Sequence, residues 1–320
     1  MNEYNLTTDE LVDNADRLEA EGNVDAALAC WRIVVEREPD PISLCRFGRL
    51  ATKAREWAEA EQAFQSAIAL SPELSFPYDC LGSLYLKRDN AGLAQTYFKK
   101  SLEIEENAFT YTLLGAAQLR LGVPEARESF VKALELDPSY EEAYYDLGLT
   151  LRHEHPARAV ILFQKAIELD PDYGAAHREL GWALRQLEQL PEAEHHLRRA
   201  IDLDDSDGWT YIYLGNLLWV KGDLVNAEKA FQTAIRIWPD ESVPYWCQAI
   251  FYEYQGRSQE ADFFYELALQ VDPDDSQANL RFGLFLKEIG EPEKAKEYLH
   301  RALKSDPNNG YVRSILDELE

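Results

Sequence analysis

The chain has 320 residues, 32 basic and 58 acidic, which gives a formal net charge of −26 and an isoelectric point near 4.6. That balance excludes a nucleic-acid binder driven by counterion release, whose contacts need a basic face. The apolar share, 46%, is enough for a large core, yet no run approaches the ~18 consecutive apolar residues of a membrane span. The opening MNEYNLTTDE has neither the basic nor the apolar region of a secretory signal, so a cytoplasmic protein is expected. Cys30, Cys45, Cys80 and Cys247 form no CxxC pair or metal-type spacing and read as buried free thiols.

In chain order, residues 1–7 read as a lead-in, residues 8–309 as nine tandem units forming one solenoid domain, and residues 310–320 as a closing helix. A small residue recurs at Ala15, Gly48, Gly82, Gly115, Gly148, Gly181, Gly215, Ala249 and Gly283, always 33 or 34 residues apart. Sixteen residues later, or fifteen in the fourth and fifth units, stands a ring or Leu: Trp31, Phe64, Phe98, Phe130, Phe163, Leu197, Phe231, Tyr265 and Leu299. Seven units close on Pro, at Pro39, Pro72, Pro138, Pro171, Pro239, Pro273 and Pro307, while Glu106 and Asp205 replace it in two. Apolar spacing within each unit is three and four residues, the helical period, and Gly22, Gly122, Gly222, Gly256 and Gly290 mark a turn at its midpoint. Each unit is therefore expected to be two helices. The small residues allow close crossing, the ring fills the space beside them, and stacked neighbours supply a core that one pair cannot form alone.

This pattern resembles the tetratricopeptide repeat, whose unit of about 34 residues carries small, small, aromatic and Pro landmarks in this order. The family's frequent Trp near the unit start is replaced by Leu11, Leu44, Tyr78, Tyr111, Tyr144, His177, Tyr211, Tyr245 and Asn279. The resemblance implies an all-α fold, a right-handed α-solenoid (superhelix) of nine helix-turn-helix units plus a C-terminal capping helix. It also implies an inner wall made by the first helix of each pair, with a concave groove that holds a peptide or a partner helix. Numbering each unit so that the recurrent small residue is eighth, the second, fifth, ninth, twelfth and thirteenth places face that groove.

Lys53, Lys87, Arg120, Arg152 and Arg185 occupy the twelfth or thirteenth place of five successive units, and Lys287 adds a sixth cation in the ninth. A helix C-terminus favours cations in any case. An unbroken basic ladder in so acidic a chain points further, to a wall for acidic side chains or a terminal carboxylate. A second cluster is aromatic: Trp182, Trp209, Trp219 and Trp246 fall at inner places of three consecutive units. Tyr213, Asn216 and Tyr254 share their helices, and Arg178 and Arg185 lie beside them. Core places of these units are already filled by Leu180, Leu214, Ala227 and Phe231, so the extra rings call for another surface.

The Lys and Asn clamp of the family's chaperone-tail readers is not reproduced in any three consecutive units, and the inner Asn ladder of its sugar-transferase members is missing, so no known ligand transfers. No HExxH, phosphate loop or nucleophile elbow occurs, and His153 to His155 fall at a helix end. The expected role is a non-enzymatic scaffold without cofactor or metal, capturing a protein or peptide segment that is acidic with an apolar anchor. The competing reading is an adaptor subunit of a separately encoded enzyme, or of a secretion or modification complex, docking by its convex surface. Neither membrane insertion nor a nucleic-acid partner is expected, and the sequence leaves the oligomeric state open.

Overall fold

The computed structural model describes residues 6–319 and is helical throughout them, with no strand among the described residues. Of the expected lead-in, residues 1–5 lie outside the described residues, as does Glu320 at the end of the expected cap. Contacts divide the chain into two compact units, residues 1–153 and 154–320. The first holds α1 (Thr8–Ala20), α2 (Val24–Arg37), α3 (Pro41–Lys53), α4 (Trp57–Leu70), α5 (Phe76–Lys87), α6 (Ala91–Ile104), α7 (Ala108–Arg120), α8 (Ala126–Leu136) and α9 (Glu141–Leu151). The second holds α10 (Pro156–Leu169), α11 (Gly174–Gln186), α12 (Leu190–Leu203), α13 (Gly208–Val220), α14 (Leu224–Ile237), α15 (Ser242–Tyr254), α16 (Ser258–Val271), α17 (Ser276–Glu288), α18 (Pro292–Ser305) and α19 (Gly310–Leu319).

Within each unit every helix packs on the next, and odd-numbered helices also touch one another, α3 on α5 and α11 on α13 for example. Each unit is thus a stretch of α-solenoid, with the odd helices as its inner wall. The hairpin crossing is as tight as the recurrent glycines suggest. A Cβ added at Gly48 would lie 2.5 Å from the Phe64 ring, at Gly82 2.6 Å from Phe98, and at Gly215 2.9 Å from Phe231. All three rings are fully buried, so the glycine is a steric requirement of the crossing. The turn glycines serve differently. Gly22, Gly122, Gly222, Gly256 and Gly290 have φ between 68° and 83° in open space, and Arg55, Asp89 and Glu188 adopt the same left-handed conformation in three further turns.

Several helix starts carry side-chain caps. Thr7 and Glu10 form a capping box on α1, and Asn23, Asp40, Asn90, Asn107, Asp207, Asp223 and Asp275 each accept a backbone N–H at the start of their helices. Each closing Pro stands two residues beyond an even-numbered helix. Helices α6 and α12, followed by Glu106 and Asp205 instead, stop at the same place on extended caps, Glu105 (φ −148°, ψ 118°) and Asp204 (φ −148°, ψ 105°). The Pro reinforces a stop that the chain makes without it.

In four repeats the fourth place holds a bond that ties the hairpin to the loop before it. Tyr78 donates its hydroxyl to the Pro72 carbonyl (3.2 Å), and Tyr245 does the same to Pro239 (3.0 Å). His177 Nε2 lies 3.2 Å from the Pro171 carbonyl, and Asn279 Nδ2 donates to that of Pro273 at 2.9 Å. Four residues of three types thus reach the carbonyl six positions back. Helix α19 closes unit 2 by laying Val312, Ile315 and Leu316 on Leu299 of α18.

Candidate functional site

A cavity of about 650 Å³ opens on the inner wall of unit 1, lined from α1, α3, α4, α5 and α7. That volume is within the range of small-molecule and peptide pockets. Its apolar contribution is Phe76 and Phe109, 44% and 49% exposed, at the second place of the third and fourth repeats. Between them and the buried Leu50 and Leu84 run the exposed cations Arg49, Lys53 and Lys87. None of these three makes a hydrogen bond or an ion pair among the described residues, although most other cations of the chain do. Glu19 is the one exposed carboxylate on the lining.

The cavity floor carries a second acid, Asp79, only 5% exposed. Its Oδ2 accepts the Thr110 hydroxyl at 3.0 Å, and its Oδ1 is buried without a hydrogen-bond partner. Burial pushes the Asp79 carboxyl up to about 6, against the downward pull of the Ser101 and Thr110 hydroxyls, and Glu105 adds a further upward contribution. Cys80, beside it, has its thiol pushed far up by the neighbouring Cys45 thiol and by burial, so it is an inert wall residue.

The rest of the basic ladder is committed to the fold in most places. Arg120 donates to the Leu86 carbonyl at 2.7 Å and stands 3.9 Å from Asp89, and Arg152 Nε donates to His153 Nε2 at 3.2 Å. Lys287 pairs with Glu318 of α19 at 2.6 Å. Arg185 differs: it has no ion pair among the described residues, its Nε is buried without a partner, and burial lowers its guanidinium from the ordinary value. Arg178 is paired structurally. It reaches Asp207 at 2.7 Å and Glu179 at 3.1 Å, and Asp207 also caps α13 through Trp209 N and holds the Thr210 hydroxyl.

In unit 2 the rings are neither enclosed nor bare. Trp182, Tyr213, Asn216, Trp219 and Trp246 are half-buried, while Trp209 is 39% and Tyr254 79% exposed. Trp209 sets its edge on Trp238 (6.0 Å, 81°) and lies 6.0 Å from Tyr213. Trp219 stands edge-on to the buried Phe251 at 5.7 Å and to Tyr254 at 5.1 Å. The Trp246 indole N–H is buried with no hydrogen-bond partner.

Sequence reasoning missed Phe76, Phe109, Arg49 and Asp79. They occupy the second, second, ninth and fifth places, and the same place rule that selected Lys53 would have found them. It also missed the His177–His196 pair, whose Nδ1 atoms are 2.9 Å apart. With His177 Nε2–H on the Pro171 carbonyl, His196 must be the Nδ1–H donor. Burial, then His177 and His195, push His196 down to about 4.

One tetratricopeptide-repeat profile matches residues 12–75 and 150–208, and a second matches residues 254–319. No curated protein sequence matches the chain significantly. Among solved structures, the APC/C hetero-tetramer Cut9-Hcn1 aligns with 98% of this chain and 96% of its own at 13% identity and a TM-score of 0.55, so the fold is shared. YrrB, titled a TPR protein with an unusual peptide-binding site, aligns with 56% of this chain and 95% of its own at 24% identity and a TM-score of 0.43. No described helix is long and apolar enough to cross a membrane.

Proposed function

The chain belongs to the tetratricopeptide-repeat family, and from that premise we propose that it is an interaction scaffold whose unit 1 groove captures an acidic peptide segment with one apolar anchor. The observation that supports this reading is the meeting of three cations without an ion pair among the described residues, Arg49, Lys53 and Lys87, with two half-exposed phenylalanines on one cavity. In a chain of charge −26 an unpaired cation lies among carboxylates that could pair it, and these three are arranged around apolar surface instead. Phe76 and Phe109 supply the desolvated contact, and the cations supply encounter rate and selectivity against basic segments. The aromatic face of unit 2, with Trp209, Trp219, Tyr254 and Arg185, which has no ion pair among the described residues, is a second candidate surface of the same kind.

Fluorescence anisotropy with a labelled Asp/Glu peptide carrying a single central aromatic residue tests the reading. Lys53→Glu combined with Lys87→Glu should weaken binding by about tenfold or more and flatten its salt dependence. Trp219→Ala with Trp246→Ala should leave it unchanged. Affinity indifferent to salt and to the charge reversal would remove the groove of unit 1 from consideration, and loss through the Trp pair alone would move the site to unit 2.

A further inference from the structure

The phenyl rings and the cations of the unit 1 cavity stand at opposite ends of it, because the inner helices there run side by side in one direction and in register. Thr110, the third residue of α7, donates to Asp79, the fourth of α5, at 3.0 Å. Arg120, the last residue of α7, donates at 2.7 Å to the Leu86 carbonyl, one residue short of the end of α5. The Cys45 and Cys80 thiols, each on the fifth residue of its helix, are neighbours in the same way between α3 and α5. Phe76 and Phe109 are the first residue of α5 and the second of α7, whereas Lys53 and Lys87 are the last residues of α3 and α5, with Arg49 one turn inward. The rings occupy the second place of their repeats and the cations the ninth and thirteenth, a separation of roughly 10–16 Å along the helix axis at 1.5 Å per residue. The rings flank α5 toward α7 and the cations flank it toward α3, so a path joining them also shifts sideways by about one helix spacing, ~8–10 Å. Where that path crosses α5 it meets Cys80 and Ser83, the two smallest side chains on the lining, so the helix presents a low saddle there.

A ligand that satisfies both ends must therefore span about 13–19 Å. An extended chain advances about 3.3 Å per residue and covers that distance in roughly four to six residues, where a helix would need about nine to twelve. Successive side chains of an extended chain point to opposite sides, which turns neighbouring acids toward Arg49 and Lys53 of α3 on one side and Lys87 of α5 on the other. Glu19, on α1, borders the cations on their far side and repels an acid placed beyond them, so the acidic residues stay between α3 and α5. We infer that the captured segment is an extended peptide whose apolar anchor and neighbouring acidic residues stand about four to six residues apart, and that it crosses α5 over Ser83. This rests on the peptide-capture reading of the same groove and makes Ser83 the residue whose small size lets one chain join the two ends.

The test is a series of labelled peptides holding one phenylalanine and one aspartate pair about two, five or ten residues apart on a Gly/Ser spacer, made in both chain orders and titrated by anisotropy into the full chain. The five-residue spacing should bind about tenfold or more tighter than the two-residue spacing, which cannot reach both ends, and the ten-residue spacing should fall only a few-fold below the best. Ser83→Trp should weaken the five-residue peptide about tenfold and leave the two-residue peptide unchanged, while Ser83→Ala should alter neither. Should the tryptophan variant not fold, Ser83→Gln is read in its place, with a loss of a few-fold. Affinity independent of spacing overturns the crossing path and leaves the groove reading standing. An optimum at the longest spacing overturns the extended form. Undiminished binding of the five-residue peptide by folded Ser83→Trp, or by Ser83→Gln in its place, overturns the role of Ser83. Failure of every spacing to bind overturns the groove reading together with this one.

Discussion

At the scale of single residues, the groove of unit 1 carries a stability cost that its pH dependence exposes. Asp79 titrates at about 6 in the fold against an ordinary 3.8, so between those values the folded chain holds a proton that the unfolded chain has released. Stability from this group therefore rises as pH falls through about 6 toward 4, and above 6 the buried carboxylate is a liability. Asp79→Asn should stabilise the protein at pH 8 by about 1–3 kcal/mol in urea unfolding, and the advantage should shrink as the pH is lowered to 4. A pH-independent difference would mean that the carboxyl is not buried in its ionised form. The same residue marks how far the sequence could be read. Its groove-facing place follows from the repeat period, but its burial against the Ser101 and Thr110 hydroxyls depends on how α6 and α7 pack around it, which no spacing encodes. Arg178 makes the complementary point: its place predicts exposure to a ligand, yet Asp207, from the cap of the next hairpin, has taken its charge.

At the scale of the helix pair, most of the architecture was legible because it is steric. The glycine that meets a ring at 2.5 to 2.9 Å and the glycine at positive φ both answer to hard repulsion, which leaves a recurrent mark along the chain. Less legible was the reason for the helix stop, since α6 and α12 end without Pro as cleanly as the others end with it. Glu188 tests the turn argument. It holds φ 60° where five other units use glycine, and no hydrogen bond of its side chain offsets the strain among the described residues. Replacing it, Glu188→Gly, should stabilise the protein by roughly 0.5–1 kcal/mol, the relief of the left-handed strain less the added freedom of the unfolded chain. A lower melting temperature would show that Glu188 is held there by something other than the turn.

At the scale of the whole molecule, contacts run mainly between neighbouring helices, so a perturbation should stay local. Helix α19 covers Leu299 with Val312, Ile315 and Leu316, and Lys287 reaches Glu318 across the same junction. Deleting residues 310–320 should destabilise unit 2 by on the order of 2–4 kcal/mol, the net of losing that apolar burial and no longer ordering one helix. Hydrogen exchange should quicken in α17 and α18 and stay unchanged in α1 to α8; uniform acceleration along the chain would contradict the repeat picture. The bond from the fourth place to the preceding Pro carbonyl has a wider consequence. Tyrosine, histidine and asparagine all make it, so the joint specifies a donor at a given reach and leaves the residue type open. Selection acting on what the inner wall recognises can therefore rewrite neighbouring side chains while these four hairpins are held by an interchangeable fastening.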